Sequence, residues 1–149
     1  MNDLTLAGLC ELARTEGPAA ALDRLGGLLA DPSDRAPGVA WIRLGLTRRL
    51  LDDAVEYLRG RDDGATVLLN LPMVRGLLAE AVGTWSEARV LIEAGQELPW
   101  AHQRLTDADR TCLRLFGASG YVVGGPGSLA LASEELADPY LAYPEEVSR

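Results

Sequence analysis

The sequence predicts an all-α fold, and three observations carry that expectation. Apolar residues recur at three- and four-residue spacing in nearly every segment. Gly, Pro, Asn and Asp punctuate the segments where helices should start and stop. Only Thr66-Val67-Leu68-Leu69 and Tyr121-Val122-Val123 read as extended, and each is too short to build a sheet. The economical architecture for 149 residues is an antiparallel four-helix bundle with two extra short N-terminal helices.

In chain order, Asn2 or Asp3 caps a first helix carrying Leu4, Leu6, Leu9 and Leu12, which closes near Gly17. Pro18, fitted to a first turn, opens a second helix to Ala30 with Leu22, Leu25, Leu28 and Leu29 inward. Residues 31–38, with two Pro, a Gly and three charges, read as a linker. A third helix runs from about Val39 to Arg59, its Leu44, Leu50, Leu51, Ala54, Val55 and Leu58 stripe opposed by Arg48, Arg49, Asp52, Asp53 and Glu56.

The fourth helix is capped by Asn70 and spans roughly Leu71 to Ala94. Its apolar set, from Val74 through Val82 and Trp85 to Ile92, predicts partners on more than one side. Gly95 stops it, and Pro99 leads a fifth helix to Phe116 with Ala101, Leu105, Ala108, Cys112 and Leu115 on one face. A glycine-rich run, Gly117 to Gly127, precedes a short last helix capped by Ser128 and covering Leu129 to Ala137. Three units follow: an N-terminal helical pair packing on the bundle (1–38), the bundle (39–137) and a polar tail (138–149).

Composition narrows the function. Fourteen Arg and no Lys face 22 acidic residues, for a net charge of −8, which disfavours phosphate backbones and anionic lipid, so no nucleic-acid or membrane partner is expected. No apolar run reaches the length of a membrane span, and Met1-Asn2-Asp3 lacks a basic leader. Cys10 and Cys112, 102 residues apart, make no disulfide framework, so the expected location is the cytoplasm. A single His and two separated Cys also argue against a metal site.

Three stretches in order resemble the C-terminal helical domain of the acyl-CoA dehydrogenases. They are Leu44-Gly45-Leu46 with Leu51 to Arg59, Leu71-Pro72-Met73-Val74-Arg75 through Glu87 to Leu91, and Leu115-Phe116-Gly117-Ala118-Ser119-Gly120-Tyr121. The resemblance covers about 39–137. Neither the family's N-terminal helical domain nor its middle β-domain has a counterpart in residues 1–38.

The family's catalytic carboxylate has two known positions. One corresponds to Arg35, and the other falls near Tyr143-Pro144-Glu145-Glu146, out of register. The flavin-contacting turn appears as Arg61-Asp62-Asp63-Gly64, without its Phe and with two carboxylates that repel a pyrophosphate. The resemblance therefore implies a stand-alone, degenerate bundle that is not a flavin dehydrogenase by itself. It would act as an accessory or partner subunit in acyl thioester metabolism, of a biosynthetic kind, either as a homo-oligomer or beside a flavoprotein. It would hold no cofactor of its own. FAD would be met only if shared with a partner, through Arg61, Arg114 and Gly117.

The residues themselves leave a second reading open: a flavin-independent small enzyme (cyclase, isomerase or dehydratase) taking a hydrophobic small molecule into a cavity between helices. His102, with Asp109 or Glu80, is the candidate acid–base set. His102, Thr106 and Asp109 share a helix face, but seven residues put His102 and Asp109 about 10.5 Å apart along the axis. A solvated or capping His is the plainer expectation. Trp41, Tyr57, Trp85, Trp100 and Tyr121 are the candidate pocket walls, or else core. Gly117 to Ser128 offers N–H donors to a phosphate, but the dinucleotide fingerprints need a preceding strand. A plain inter-helix turn is the expected role.

Overall fold

The computed structural model describes residues 5–28, 35–122 and 124–140, apart from the side chains of Leu28, Tyr121 and Tyr140. Within them lie α1 (Leu6–Glu16), α2 (Pro18–Leu28), α3 (Arg35–Arg59), α4 (Pro72–Ala94), α5 (Leu98–Leu115) and α6 (Pro126–Ala137). No strand occurs among the described residues. The 66–69 segment makes one isolated bridge, Asp62 to Val67, before a short 3-10 turn. The expected Asn2 or Asp3 cap, Leu4, Leu29 and the 141–149 part of the tail lie outside the described residues.

The expected linker is corrected in its second half, since α3 starts at Arg35. Pro37 sits in the first turn, where its missing N–H has no intrahelical acceptor to lose. Gly38 is buried where a Cβ would stand 2.3 Å from Leu25 Cδ1, so a larger residue would have to push the Leu25 side chain aside. Asn70 is not the cap of α4: it ends the 3-10 turn, and Leu71 takes the extended cap conformation that Pro72 imposes on its predecessor. Ser128 is likewise not a cap. Pro126 begins α6, and the Ser128 Oγ accepts the Gly124 N–H at 3.2 Å.

α3 is the axis of the fold and touches each of the other five helices. From Gly38 to Thr47 every side chain but Trp41 is buried, as expected of a helix packed on all sides. The closest approach is to α1, where a Cβ on Gly45 would stand 2.0 Å from the Cys10 carbonyl oxygen. Leu9, Ala13, Leu25, Ile42 and Leu46 form the core where α1 and α2 meet α3. Leu44, Leu50, Trp85, Ile92, Leu105 and Cys112 form the core among α3, α4 and α5. A third cluster, Ala54, Leu58, Leu115 and Phe116, closes the far end of α3.

α4 and α5 make a tight hairpin. Gly95, at φ 65°, ends α4 with the paired bonds Gly95 N–H to Ile92 O and Gln96 N–H to Leu91 O, both 3.1 Å. Glu97, at φ 50°, is the one non-glycine residue in left-handed backbone among the described residues.

Candidate functional site

The densest polar cluster lies at the centre of the molecule around Arg43. Arg43 is fully buried, and acceptors from α5 and α6 surround its guanidinium. Nε donates to Ser133 Oγ at 3.0 Å, Nη1 to the His102 carbonyl at 2.8 Å and Nη2 to Thr106 Oγ1 at 2.9 Å. Nη2 also faces Asp109 Oδ2 at 3.5 Å, and Thr47 Oγ1 donates to the other carboxylate oxygen at 2.7 Å. His102 Nδ1 lies 3.4 Å from Arg43 Nη1.

This arrangement corrects the expectation for His102, which is buried rather than solvated or capping. Their spacing along α5 delivers groups from residues 102, 106 and 109 to the same guanidinium, so Arg43 spans the gap that no direct His102–Asp109 bond could. Burial pushes the Asp109 carboxyl up, to about 6, against the opposing pull of Arg43 and Thr47. Burial and then the Arg43 charge push His102 down, to about 4. Burial pulls Arg43 itself below its usual range, with Asp109 opposing. Burial raises the Cys112 thiol to about 12, so it is packing rather than a nucleophile.

Chemically the cluster is closed. His102 is 0% and Asp109 1% exposed, so neither reaches a solute without the helices parting. Glu80 does not join them, because it stands on the exposed side of α4. Sequence reasoning missed Arg43, Thr47 and Ser133. The signal was there in the positions three and four residues either side of Arg43, namely Val39, Ala40, Leu46 and Thr47, none of them charged. A lone charge so flanked on a helix is a buried charge awaiting partners.

The expected aromatic pocket disperses. Trp85 is core, its Nε1 donating to the Leu44 carbonyl at 3.0 Å and its ring faced by Arg48 and Arg89 at 5.5 and 5.8 Å. Trp41 is half-buried between the two larger cores. Trp100 is on the surface, bonded to Glu87 and stacked under Arg104, so it walls no interior cavity. The Tyr121 side chain lies outside the described residues.

Tyr57 instead joins a different group. Its hydroxyl and Ser119 Oγ are 3.0 Å apart, its ring meets Phe116 at 5.2 Å, and the Arg61 guanidinium lies 4.6 Å above it. Gly117, at φ 56°, starts the 3-10 turn that carries Ser119, and Arg114 is exposed in the last turn of α5. Arg61, Gly117 and Arg114 thus lie toward one end of the molecule, where α3 finishes and α5 turns. As a flavin site this set does not fit alone. Arg61 is already stacked on Tyr57, and the adjacent Asp62 and Asp63 add negative charge while bonding only their own turn.

Among the described residues several open grooves mark the surface. One of about 370 Å³ runs between α5, the Gly117–Tyr121 turn and α6, lined by Leu113, Val122, Ala130 and Leu131 with Glu134 at its edge. Among the described residues no three His, Cys, Asp or Glu side chains gather as a metal site, and no helix is long and apolar enough to cross a membrane. The chain matches no protein-family model and no curated protein.

Proposed function

We propose that this chain is an accessory or partner subunit in acyl thioester metabolism, of a biosynthetic kind, acting through its surface and carrying out no flavin dehydrogenation by itself. The observation that supports this reading is the sealing of the central cluster. The candidate acid–base pair, His102 and Asp109, is enclosed with Arg43 where no substrate enters, and burial moves His102 away from the neutral range that acid–base work needs. Residues that the acyl-CoA dehydrogenase resemblance associates with flavin, Arg61, Arg114 and Gly117, are exposed and grouped at one end. There they meet a neighbouring protein more readily than they enclose a cofactor. In this role Arg61 and Arg114 supply positive charge to a phosphate held mainly by the partner.

The test is co-expression with any acyl-CoA dehydrogenase-type flavoprotein that the genomic neighbourhood proves to encode. The expected result is a colourless isolated chain that co-purifies with that flavoprotein, with co-purification lost in Arg61→Ala/Arg114→Ala. An isolated chain that binds FAD, or turns over an acyl thioester unaided, overturns the reading.

A further inference from the structure

From Arg59 to Glu80 no residue is buried, although the stretch includes Leu68, Leu69, Leu71, Val74, Leu77 and Leu78. These six side chains are only partly covered, and Met73 beside them is 77% exposed. Leu58, Leu115 and Phe116 support five of the six from beneath. Where α3 finishes, α4 begins and α5 turns, the molecule therefore carries an apolar floor with no roof among the described residues. Charge at this end is a separate observation. Residues 57–79 and 113–121 carry Arg59, Arg61, Arg75 and Arg114 against Asp62 and Asp63, on a chain of net charge −8. All four arginines are exposed, and none is in an ion pair among the described residues. Elsewhere Arg48, Arg49, Arg89, Arg104 and Arg110 each stand within 4.0 Å of a carboxylate. Asp62 and Asp63 accept N–H groups of their own turn and pair with no arginine.

We infer that this end is a docking surface for an amphipathic helix of a partner protein, apolar along the face it lays down and acidic at its flanks. The inference rests on the partner-subunit reading for its place on the molecule and adds the chemistry of what docks there. Phosphate recognition by Arg61 and Arg114 needs neither an apolar floor nor a third cation at Arg75, whereas a segment both apolar and anionic uses all of them. Leucine and methionine side chains adapt to an incoming apolar face. Arginines at the rim of such a face take carboxylates as their strongest partners. No strand lies among the described residues, so an extended segment has no sheet edge to join. A helix satisfies its own backbone and packs its side chains on other helices. A second copy of this chain is the poorer occupant, since a two-fold contact would bring the same arginines against one another.

The probe is a labelled synthetic helical peptide of about 18 residues, with leucines at three- and four-residue spacing and glutamates on both flanks. Its fluorescence anisotropy against the full chain should show saturable binding with a Kd of about 100 μM or below. Replacing the glutamates by glutamines should weaken binding at least about tenfold, and raising salt from about 50 to about 500 mM should weaken it as well. Met73→Asp and Arg75→Glu should each weaken it at least about fivefold with unchanged circular dichroism, because both side chains are exposed. No saturable binding up to about 1 mM overturns the proposal. So does a glutamine peptide bound equally well, or binding indifferent to both variants. Self-association of the full chain that Met73→Asp abolishes would put a second copy in the partner's place and overturn it too. Peptide binding without flavoprotein co-purification keeps this surface and removes the role in thioester metabolism, and co-purification without peptide binding does the reverse.

Discussion

From Gly38 to Thr47, α3 is buried on nearly every side and carries a charge, Arg43, in its midst, whereas from Arg48 to Arg59 it is amphipathic and its charges stand in water. Arg48 pairs with Asp52 at 3.1 Å and Arg49 with Asp53 at 4.0 Å, all of them two-fifths or more exposed. Arg43 has traded water for Ser133, Thr106, the His102 carbonyl and Asp109. Residue type is the same in the two halves, and the energetic meaning is opposite. A surface pair adds at most about 1 kcal/mol because water competes for both ends. A desolvated guanidinium has no such fallback, so its partners become obligatory.

The widest gap between the halves should appear when one member of the buried set is removed. Arg43→Ala is expected to cost about 3–5 kcal/mol in urea denaturation, leaving Asp109 without its cation and the Thr106 and Ser133 hydroxyls without their donor. Arg43→Met/Asp109→Leu should recover the part of that loss owed to the uncompensated carboxylate, while the Thr106 and Ser133 hydroxyls and the His102 carbonyl stay without their donor.

Acid–base behaviour sharpens the contrast next. Asp109, raised to about 6, contributes stability that is present below its unfolded value and lost as pH rises through 6. His102, lowered to about 4, contributes stability present above its unfolded value of 6.5 and lost as pH falls through 4. Between those values the two slopes oppose, and the cluster leaves the native chain nearly indifferent to pH. His102→Gln should remove the opposing slope and leave that of Asp109, so that the variant's thermal or urea stability, measured against the parent's, falls by about 2 kcal/mol from pH 4 to 6. A flat profile in that variant would mean Asp109 keeps an ordinary carboxyl affinity.

Steric change in the enclosed half ranks third. Gly45→Ala places a methyl against the Cys10 backbone, and neither helix backbone can yield cheaply. A loss of about 1–3 kcal/mol is expected by thermal denaturation. Smallest is Arg49→Ala in the solvated half, where a change within about 0.5 kcal/mol is expected because its 4.0 Å pair is exposed. A larger loss there would erase the distinction between the halves.

Much of this architecture is legible in the sequence because helices announce themselves by period and punctuation. Gly17, Pro18 and Gly95 mark the α1, α2 and α4 boundaries where the residue pattern predicts them. Boundaries differ where proline overrides side-chain capping, as at Leu71 before Pro72 and at Pro126 ahead of Ser128. The shared face of His102, Thr106 and Asp109 is visible from their spacing. Its meaning is not, because the group that unites them is 59 to 66 residues away in sequence and no local pattern encodes that meeting. The aromatic set misleads for a related reason: ring content says that a residue wants cover, and only tertiary packing says whether neighbouring helices, a carbonyl or an arginine provides it.

The reach of Arg43 also bears on synthesis. Its last acceptor, Ser133, is 90 positions downstream. During translation α3 is complete long before the hydroxyl that closes its cation has been made, so the nascent helix must wait, wetted or shielded, until α6 emerges. Loss of α6 from the finished polypeptide would return the molecule to that waiting condition, with its central cation open to solvent and its axial helix half unclothed.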